Sequence, residues 1–340
     1  MKNRLLIFFS SFILLLTILL PLTTFAKEKA ITLKYANFYP ASHKNSILSE
    51  QWCKEVEKRT NGRVRINYYP EAILCPPQHT YNSVIMGLAD IGQALMGYNM
   101  GRFPLAQGID LPLGYRSGLV ATKMANEFYK KFKPKEFEQV KVLYLHAHGP
   151  GVLNTKKPVT KLKDIKGLRI RTTGQTAQII TALGGSPVVL PQNETLYSML
   201  SGYVDGALTT IEAMKGFRLG EAATNHTLNL SSAYSSGFYV VMNKEKWNSL
   251  PPDVQKIIDQ INEEWVEKQG KLWDEIDREG YAFIKARGNK IITLSKEEDA
   301  RWVAAVKPVI DNYIKTMKAK GLPADQTVQF FKDYLNTHQK

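Results

Sequence analysis

Apolar and polar positions alternate most clearly between residues 164 and 206. Short apolar runs separate segments with helical spacing, which predicts strands at 168–172 and 187–190 and helices at 175–183 and 194–201. Strands that alternate with helices of this length are typical of a parallel sheet. Ligands bind such sheets outside the carboxyl ends of the strands, so residues at those ends are candidates for a binding site.

A second stretch repeats part of this pattern. Residues 80–95 and 195–208 align at an offset of 115 residues, with matches of Thr80 to Thr195, Gly87 to Gly202 and Asp90 to Asp205. Both read as a helix, a glycine stop, two residues, an aspartate and a strand. Chance is the alternative explanation, because this is a common way to enter a strand. Duplication predicts two similar sheets that face each other.

The remaining segments extend the α/β pattern over the whole chain. We predict strands at 31–36, 64–69, 140–145 and 236–243, and helices at 46–60, 118–132, 251–285, 295–320 and 327–335. Residues 152–155 are expected to cross toward a second lobe. The helix at 251–285 is unusually long. A coiled coil is its alternative interpretation, but Gln269 and Gly270 interrupt the heptad.

The first 26 residues have the pattern of a secretory signal peptide. Lys2 and Arg4 precede an apolar run at 5–20, and small residues at Thr24 and Ala26 form a cleavage site. An uncleaved membrane anchor is the alternative, because the apolar run is near the lower limit for a spanning helix. We expect an exported, soluble, periplasmic protein, and the remaining length is natural for two lobes.

Charge and cysteine content narrow the function classes. The formal net charge is +14, but the lysines are spread along the chain without an arginine–aromatic cluster, so a nucleic-acid partner is not expected. The charge suits attraction of small anions. Cys53 and Cys75 are either joined in a disulfide, which export permits, or remain two separate thiols.

Motifs for catalysis and metal binding are missing from the sequence. There is no G-x-S-x-G elbow, P-loop, G-x-G-x-x-G turn or HExxH pair. His146 and His148 share one face of a strand but have no third ligand nearby, so no metal site is expected. We expect a non-enzyme without cofactors, with a secreted hydrolase as the unfavoured alternative.

Arg171 is the strongest candidate for ligand binding. It lies at the carboxyl end of the strand at 168–172, where a forked and permanently charged guanidinium suits capture of a carboxylate. The alternative is a structural ion pair with a neighbouring acid. Spacing alone does not decide between them.

Three runs within this region carry a family resemblance: KLKDIKGLRIRTTG, GGSPVVLP and ETLYSMLSGYVDG. Together they resemble the solute-binding proteins of TRAP (tripartite ATP-independent periplasmic) transporters, the dicarboxylate-binding-protein-like family. The resemblance implies a type II periplasmic-binding-protein fold, in which two α/β lobes surround a cleft and are joined by hinge strands and a long lobe-spanning helix. It also implies that Arg171 holds the substrate carboxylate.

The two lobes are expected to divide the chain discontinuously. Lobe I comprises residues 27–150 and about 240–283. Lobe II comprises residues 151–239, with about 284–340 packing on the lobes. The crossings between lobes are expected to act as a hinge that closes around a ligand.

Further contacts are placed by their positions at strand ends: His148, Thr173, Thr209, Tyr98, Phe38 and Phe238. His148 is expected to donate a hydrogen bond to the ligand. Relatives of this kind often carry asparagine at the position of Thr209 and arginine near His148, so the distal contacts are expected to differ here. Glu212 either receives a ligand hydroxyl or amine, or neutralises an arginine.

The resemblance implies the extracytoplasmic subunit of a TRAP transporter. Such a subunit binds a small organic anion through its carboxylate and delivers it to membrane subunits. We expect a monomer. A ligand-sensing protein that docks on a membrane receptor is the alternative with the same fold. The aromatic strand ends fit an aromatic or branched monocarboxylate as well as a dicarboxylate or a sugar acid, and the sequence does not choose among these.

Overall fold

A computed structural model describes residues 30–339 of the chain. The predicted signal peptide lies outside these residues. Strands occupy β1 (Ile31–Asn37), β2 (Val64–Tyr69), β3 (Ile91–Leu95), β4 (Val140–Ala147), β5 (Gly151–Thr155), β6 (Arg169–Thr172), β7 (Ser186–Val189), β8 (Gly206–Thr210), β9 (Asn225–Leu228), β10 (Gly237–Asn243) and β11 (Lys290–Thr293). Helices occupy α1 (Lys44–Arg59), α2 (Thr80–Ile85), α3 (Gly118–Phe132), α4 (Ala177–Ala182), α5 (Thr195–Leu200), α6 (Ala213–Gly216), α7 (Lys244–Asn248), α8 (Pro252–Ala286), α9 (Lys296–Ala319) and α10 (Ala324–His338).

The described strands form two sheets with related topology. Sheet A has the order β2-β1-β3-β10-β4, and sheet B has the order β11-β9-β5-β8-β6-β7. In sheet A, β10 runs antiparallel to both of its neighbours, and in sheet B, β5 does the same. Each of these two strands begins directly after the chain crosses from the other sheet. Apart from β11, the two sheets therefore have the same strand arrangement.

The internal repeat predicted from the sequence occupies equivalent places in the two sheets. The Asp90 carboxylate accepts the backbone N–H of Lys34 at 2.7 Å, and the Asp205 carboxylate accepts that of Arg169 at 2.9 Å. Gly87 and Gly202, at the helix stops, both have left-handed backbone conformations. Each aspartate thus ties its helix–strand unit to the neighbouring parallel strand.

Three segments join the two lobes. The chain leaves sheet A at Ala147 and enters sheet B at Gly151; it returns to sheet A at Gly237. Strand β10 pairs with β3 and β4 from its first residues, Gly237 and Phe238. Helix α8 is the third connection.

Helix α8 spans both lobes, as the long helical pattern predicts. Val254 and Ile258 pack in the core of sheet A, whereas Ile284, near the other end, packs in the core of sheet B. Gly280 lets the helix backbone pass close to sheet B: a Cβ atom there would lie 2.5 Å from the carbonyl oxygen of Ile211. None of the helices among residues 30–339 combines the length and apolar character that crossing a bilayer requires.

The segment after α8 packs on both lobes. Strand β11 extends sheet B beside β9, and neither of these short strands is predicted by the sequence pattern. Trp302 of α9 packs in the core of sheet B, and Phe331 of α10 packs against Phe128 of α3 on sheet A.

The two cysteines are separate thiols, so the disulfide that the sequence permits is not formed in the structure. Cys53 is buried on α1 in the core beneath Tyr35 and Trp52. Cys75 packs against a different apolar cluster, together with Phe103 and Tyr239. The separation arises because α1 and the loop after β2 cover different faces of sheet A.

Asp110 lies where β10 enters sheet A. It ends a 3-10 helix at Ala106–Asp110, and its Oδ1 atom accepts the backbone N–H of Gly237 at 3.2 Å. The side chain is buried, and the loss of solvation raises the pKa of Asp110 to about 7. A carboxyl group at the hinge therefore ionises near neutral pH.

We expect two thiols per chain to react with a disulfide-exchange reagent when the purified protein is denatured without reductant. In the folded protein Cys53 should react much more slowly than Cys75, because burial raises the pKa of the Cys53 thiol. Thiol titration with mass spectrometry checks this. Two non-reacting cysteines in denatured protein would indicate the disulfide instead.

Asp110 should make the folded state less stable as the pH rises from about 4 to 7. The folded state keeps the Asp110 proton over this window, while the unfolded chain, with the ordinary pKa of 3.8, has lost it. The free energy of unfolding therefore falls by at most about 1.4 kcal/mol per pH unit. Melting curves of the native chain and Asp110→Asn should diverge above pH 5, with the variant more stable. Asp311→Asn, at an exposed ion pair, is the control; parallel curves for Asp110→Asn would contradict the assignment.

Candidate ligand-binding site

A cavity lies between the two sheets, at the carboxyl ends of strands from both. About 40 Å³ of it can hold the centres of water molecules, several times the roughly 10–15 Å³ that one water requires. All seven residues predicted as ligand contacts line it: Phe38, Tyr98, His148, Arg171, Thr173, Thr209 and Phe238. The remaining lining residues are Tyr39, Leu95, Gln192, Thr210, Glu212, Phe217, Tyr234, Ser236 and Trp273.

Arg171 is buried in the wall of the cavity with part of its guanidinium unsatisfied. Its side chain is 2% exposed; Nε donates to the Leu190 carbonyl at 3.0 Å and Nη1 to Gln192 Oε1 at 2.6 Å. Nη2 has no hydrogen-bond partner among residues 30–339. Burial lowers the pKa of Arg171, but a guanidinium stays charged.

The sequence left open that Arg171 forms a structural ion pair, but in the structure a neighbouring arginine forms it. Arg169 lies two residues earlier on β6 and pairs with Asp205 at 3.2 Å near the surface. None of the ion pairs formed by the described residues includes Arg171. The guanidinium therefore faces the cavity as a buried cation without a protein anion.

Gln192 places an amide beside Arg171. It follows β7, the strand that pairs with β6, so it reaches the same edge of sheet B. Its Oε1 atom accepts from Arg171 and lies 3.5 Å from the Thr209 hydroxyl, whereas Nε2 has no partner in the described chain. The amide donor that the family resemblance leads one to expect at position 209 is thus available from Gln192.

Tyr98 connects the two lobes across the cavity. Its hydroxyl oxygen, from sheet A, accepts the backbone N–H of Gln192 from sheet B at 3.1 Å. Nearby, Gly174 approaches Gly97 so closely that a Cβ atom on Gly174 would lie 2.8 Å from the Gly97 Cα. Thr173 contributes its buried side chain at the same place. The lobes are therefore in contact over the site.

Aromatic rings form the apolar wall. The Phe38 and Phe238 rings are parallel to within 1°, with centroids 6.4 Å apart. Behind Phe238, His146 stacks at 4.7 Å, and Trp273 packs at 5.5 Å. His146 therefore supports Phe238.

The loop after β2 fixes the backbone that carries Phe38 and Tyr39. Glu71 and Ala72 donate backbone N–H bonds of 2.9 Å each to the carbonyls of Tyr39 and Asn37. Both residues have left-handed φ values, +58° and +57°, a conformation that favours glycine. Neither residue lines the cavity.

His148 faces the cavity as a hydrogen-bond acceptor. Its Nδ1 atom lies 2.6 Å from the Gly149 carbonyl oxygen, which can only accept, so Nδ1 carries the proton. Burial lowers the pKa of His148 to about 4, and the ring is therefore neutral, with a lone pair on Nε2. The donor role expected from the sequence would require a second proton on Nε2, which this neutral tautomer lacks.

Glu212 pairs with a histidine from the other lobe. His43 caps α1 and accepts the backbone N–H of Asn45 at Nδ1, so its Nε2 carries a proton and donates to Glu212 Oε2 at 3.1 Å. Thr210 donates to Glu212 Oε1 at 3.1 Å. Neutralisation of an arginine, one of the two roles considered for Glu212, does not occur.

Several lining residues are missed by the sequence analysis. Gln192 is at a strand end and could have been found by the argument that identified Arg171. Tyr39 follows Phe38 in the loop after β1 and is also missed. His43 does not itself line the cavity; it bonds to the lining residue Glu212 and gave no signal, because the two are 169 residues apart in sequence. Trp273 lies in the middle of α8 on an ordinary apolar face.

The part of the chain that the structure describes contains no group of three or more histidine, cysteine, aspartate or glutamate side chains arranged to hold a metal ion. The polar lining of the cavity consists instead of a guanidinium, an amide, hydroxyls, an imidazole and a carboxyl group. Such a set recognises a polar organic molecule by hydrogen bonds.

Comparison with solved structures finds the same architecture. A TRAP periplasmic solute-binding protein from Desulfovibrio salexigens is 32% identical, with a TM-score of 0.81 over 91% of this chain and 97% of its own. A marine metagenome TRAP protein specific for aromatic acids, solved with 3-hydroxybenzoate, is 27% identical, with a TM-score of 0.87 over 92% and 99%. A Rhodoferax ferrireducens TRAP protein solved with benzoate is 26% identical, with a TM-score of 0.85 over 91% and 99%.

The family comparison agrees with the structural one. Residues 36–316 match the DctP family, described as bacterial extracellular solute-binding protein, family 7. This range includes sheet B, sheet A except for most of β1, the cavity and helix α8. The chain belongs to this family, whose members are the periplasmic solute-binding proteins of TRAP transporters and bind small organic acids.

Proposed function

We propose that this chain binds a small aromatic monocarboxylate in the interlobe cavity and delivers it to the membrane subunits of a TRAP transporter. The observation that carries the proposal is the free edge of the buried Arg171 guanidinium in an aromatic-lined cavity. A buried charge without a partner is costly, and a ligand anion would remove that cost.

The carboxylate is assigned to the Arg171 side of the cavity. Arg171 Nη2 and Gln192 Nε2 are two unsatisfied donors joined through the Arg171–Gln192 hydrogen bond, so they lie close together. Together they can serve the two oxygens of one carboxylate. The hydroxyls of Thr173 and Thr209 complete this side.

The aromatic wall favours a ring on the ligand. Phe38, Phe238 and Tyr98 present rings to the cavity, and ring–ring packing adds stabilisation beyond the buried area. The two similar structures that contain benzoate and 3-hydroxybenzoate support the same class of ligand. A dicarboxylate is disfavoured, because a second anion would lie in a cavity that also contains the Glu212 carboxyl group.

Ligand binding would stabilise the closed arrangement of the lobes. Tyr98–Gln192 and His43–Glu212 are hydrogen bonds between lobes at the cavity, so a ligand that touches both walls binds the closed state better than an open one. In this proposal the closed monomer, exported through cleavage of residues 1–26, docks on the membrane subunits. The chain acts without catalysis of its own.

Arg171→Ala should abolish ligand-induced stabilisation. In the native chain, a ligand at about 100 times its Kd adds roughly 2.7 kcal/mol, which raises the melting temperature by a few degrees. Thermal-shift screening against benzoate, hydroxybenzoates, mandelate and C4-dicarboxylates measures this. Arg169→Ala is the matched control: it removes the surface ion pair with Asp205 and should keep the ligand shift.

A shift that survives in Arg171→Ala would remove this arginine from the site. A shift lost in Arg169→Ala but kept in Arg171→Ala would move the carboxylate to the other arginine of β6. Stabilisation by dicarboxylates alone would contradict the monocarboxylate assignment.

Gln192→Ala should weaken carboxylate binding by about tenfold or more, the effect of one hydrogen bond to a charged group. Introducing Thr209→Asn into Gln192→Ala should recover part of the loss, since it returns an amide to the same side of the cavity. Calorimetric titration of both variants checks this. Native affinity in Gln192→Ala would show that its amide does not contact the ligand.

A further inference from the structure

The cavity has a second polar group, formed by His148, Glu212 and Tyr39. Glu212 links the other two: its partner His43 stacks on Tyr39 with centroids 4.7 Å apart, and the Glu212 charge lies close enough to affect the pKa of His148 after the larger effect of burial. None of the three is hydrogen-bonded to Arg171 in the described chain. We refer to them as the acceptor group.

Two members of the acceptor group can only accept hydrogen bonds from a ligand. His148 Nδ1 donates to the Gly149 carbonyl, which leaves Nε2 with a lone pair and without a hydrogen-bond partner in the part of the chain described. Glu212 receives one donor on each carboxyl oxygen, from Thr210 and His43. A carboxylate has room for further donors beyond these two.

The Tyr39 hydroxyl, in contrast, requires a hydrogen-bond acceptor. Its side chain is 1% exposed, and its hydroxyl has no hydrogen-bond partner among residues 30–339. Burial raises the pKa of Tyr39 well above its ordinary value, so the phenol keeps its proton and needs an acceptor. The acceptor group therefore combines two lone-pair sites with one hydroxyl proton, all buried.

We infer that the substrate is an aromatic monocarboxylate with a hydroxyl group on its ring, and that this hydroxyl binds at His148, Glu212 and Tyr39. The inference rests on the proposed function and specifies its ligand. The hydroxyl can donate a hydrogen bond to His148 Nε2 or to Glu212, while its oxygen accepts a hydrogen bond from the Tyr39 hydroxyl.

Other substituents satisfy the acceptor group less well. A second carboxylate would meet the Glu212 carboxyl group and offer no proton at neutral pH. A protonated amine can donate but has no lone pair for Tyr39. An unsubstituted ring leaves His148 Nε2 and the Tyr39 hydroxyl unpaired, and a buried unpaired polar group costs roughly 1–3 kcal/mol.

The first test compares ligand pairs on the native protein by calorimetric titration. The pairs are 3-hydroxybenzoate with 3-methoxybenzoate, and 4-hydroxybenzoate with 4-methoxybenzoate, together with benzoate and isophthalate. A methoxy group keeps the oxygen and replaces the proton with a methyl group; benzoate is included because it lacks the hydroxyl and adds no bulk. We expect the hydroxy acid of at least one pair to bind tenfold or more tightly than its methoxy partner and than benzoate.

The outcomes separate this inference from the proposed function. If the aromatic acids bind but every ratio is below tenfold, or isophthalate binds as tightly as the hydroxy acids, the hydroxyl inference fails and aromatic carboxylate binding stands. If no aromatic acid binds, the proposed function fails and the inference with it.

A variant tests the residue assignment. His148→Phe keeps a ring in place but removes the acceptor, so the hydroxy-to-methoxy affinity ratio should fall to within about twofold of one. His338→Phe, at an exposed histidine stacked on Tyr334 in the C-terminal helix, should keep the native ratio. An unchanged ratio in folded His148→Phe would overturn the role of His148; if that variant does not fold, Glu212→Gln with the same ligand pairs decides.

Discussion

The arrangement of the binding cavity follows from one buried cation. Arg171 reaches the carboxyl end of β6 with its charge removed from water and no protein carboxylate beside it. Two of its nitrogens are held by the Leu190 carbonyl and the Gln192 amide oxygen, which fix the guanidinium without neutralising it. Because both partners are uncharged, the guanidinium charge remains unpaired and could interact with a ligand anion. Asp205 pairs with Arg169 and not with Arg171, so the charge on which the proposed carboxylate site depends is not neutralised by it.

The two lobes are variations on one unit, and the site uses their differences. Asp90 and Asp205 hold equivalent helix–strand units in place, so both sheets direct strand ends towards the same space. Sheet A supplies rings at these ends, chiefly Phe38 and Phe238. Sheet B supplies Arg171, Gln192 and Glu212. An apolar wall therefore faces a polar one across a pseudo-symmetric interface.

Much of this could be predicted from sequence, because strand-end positions are local properties. Arg171, Thr173 and Thr209 follow from the βαβ pattern, and the long helix follows from its uninterrupted apolar spacing. The tautomer of His148 could not be predicted, since it depends on the fold of the turn at Gly149. The His43–Glu212 bond joins residues far apart in sequence, and β9 and β11 are too short to give a periodic pattern. The features that the sequence did not predict are thus those that depend on tertiary structure.

The hinge and the site share residues, and this has a kinetic consequence. The carbonyl of His148, in one crossing segment, accepts a hydrogen bond of 2.7 Å from the Ser235 hydroxyl in the other. Rotation of the lobes must move the backbone that carries the His148 ring. A ligand held, as proposed, by that ring and by Arg171 would bridge the two lobes. Under that proposal its residence time would follow the opening rate of the lobes, and substitutions at the crossings would alter the release rate even where they touch no ligand atom.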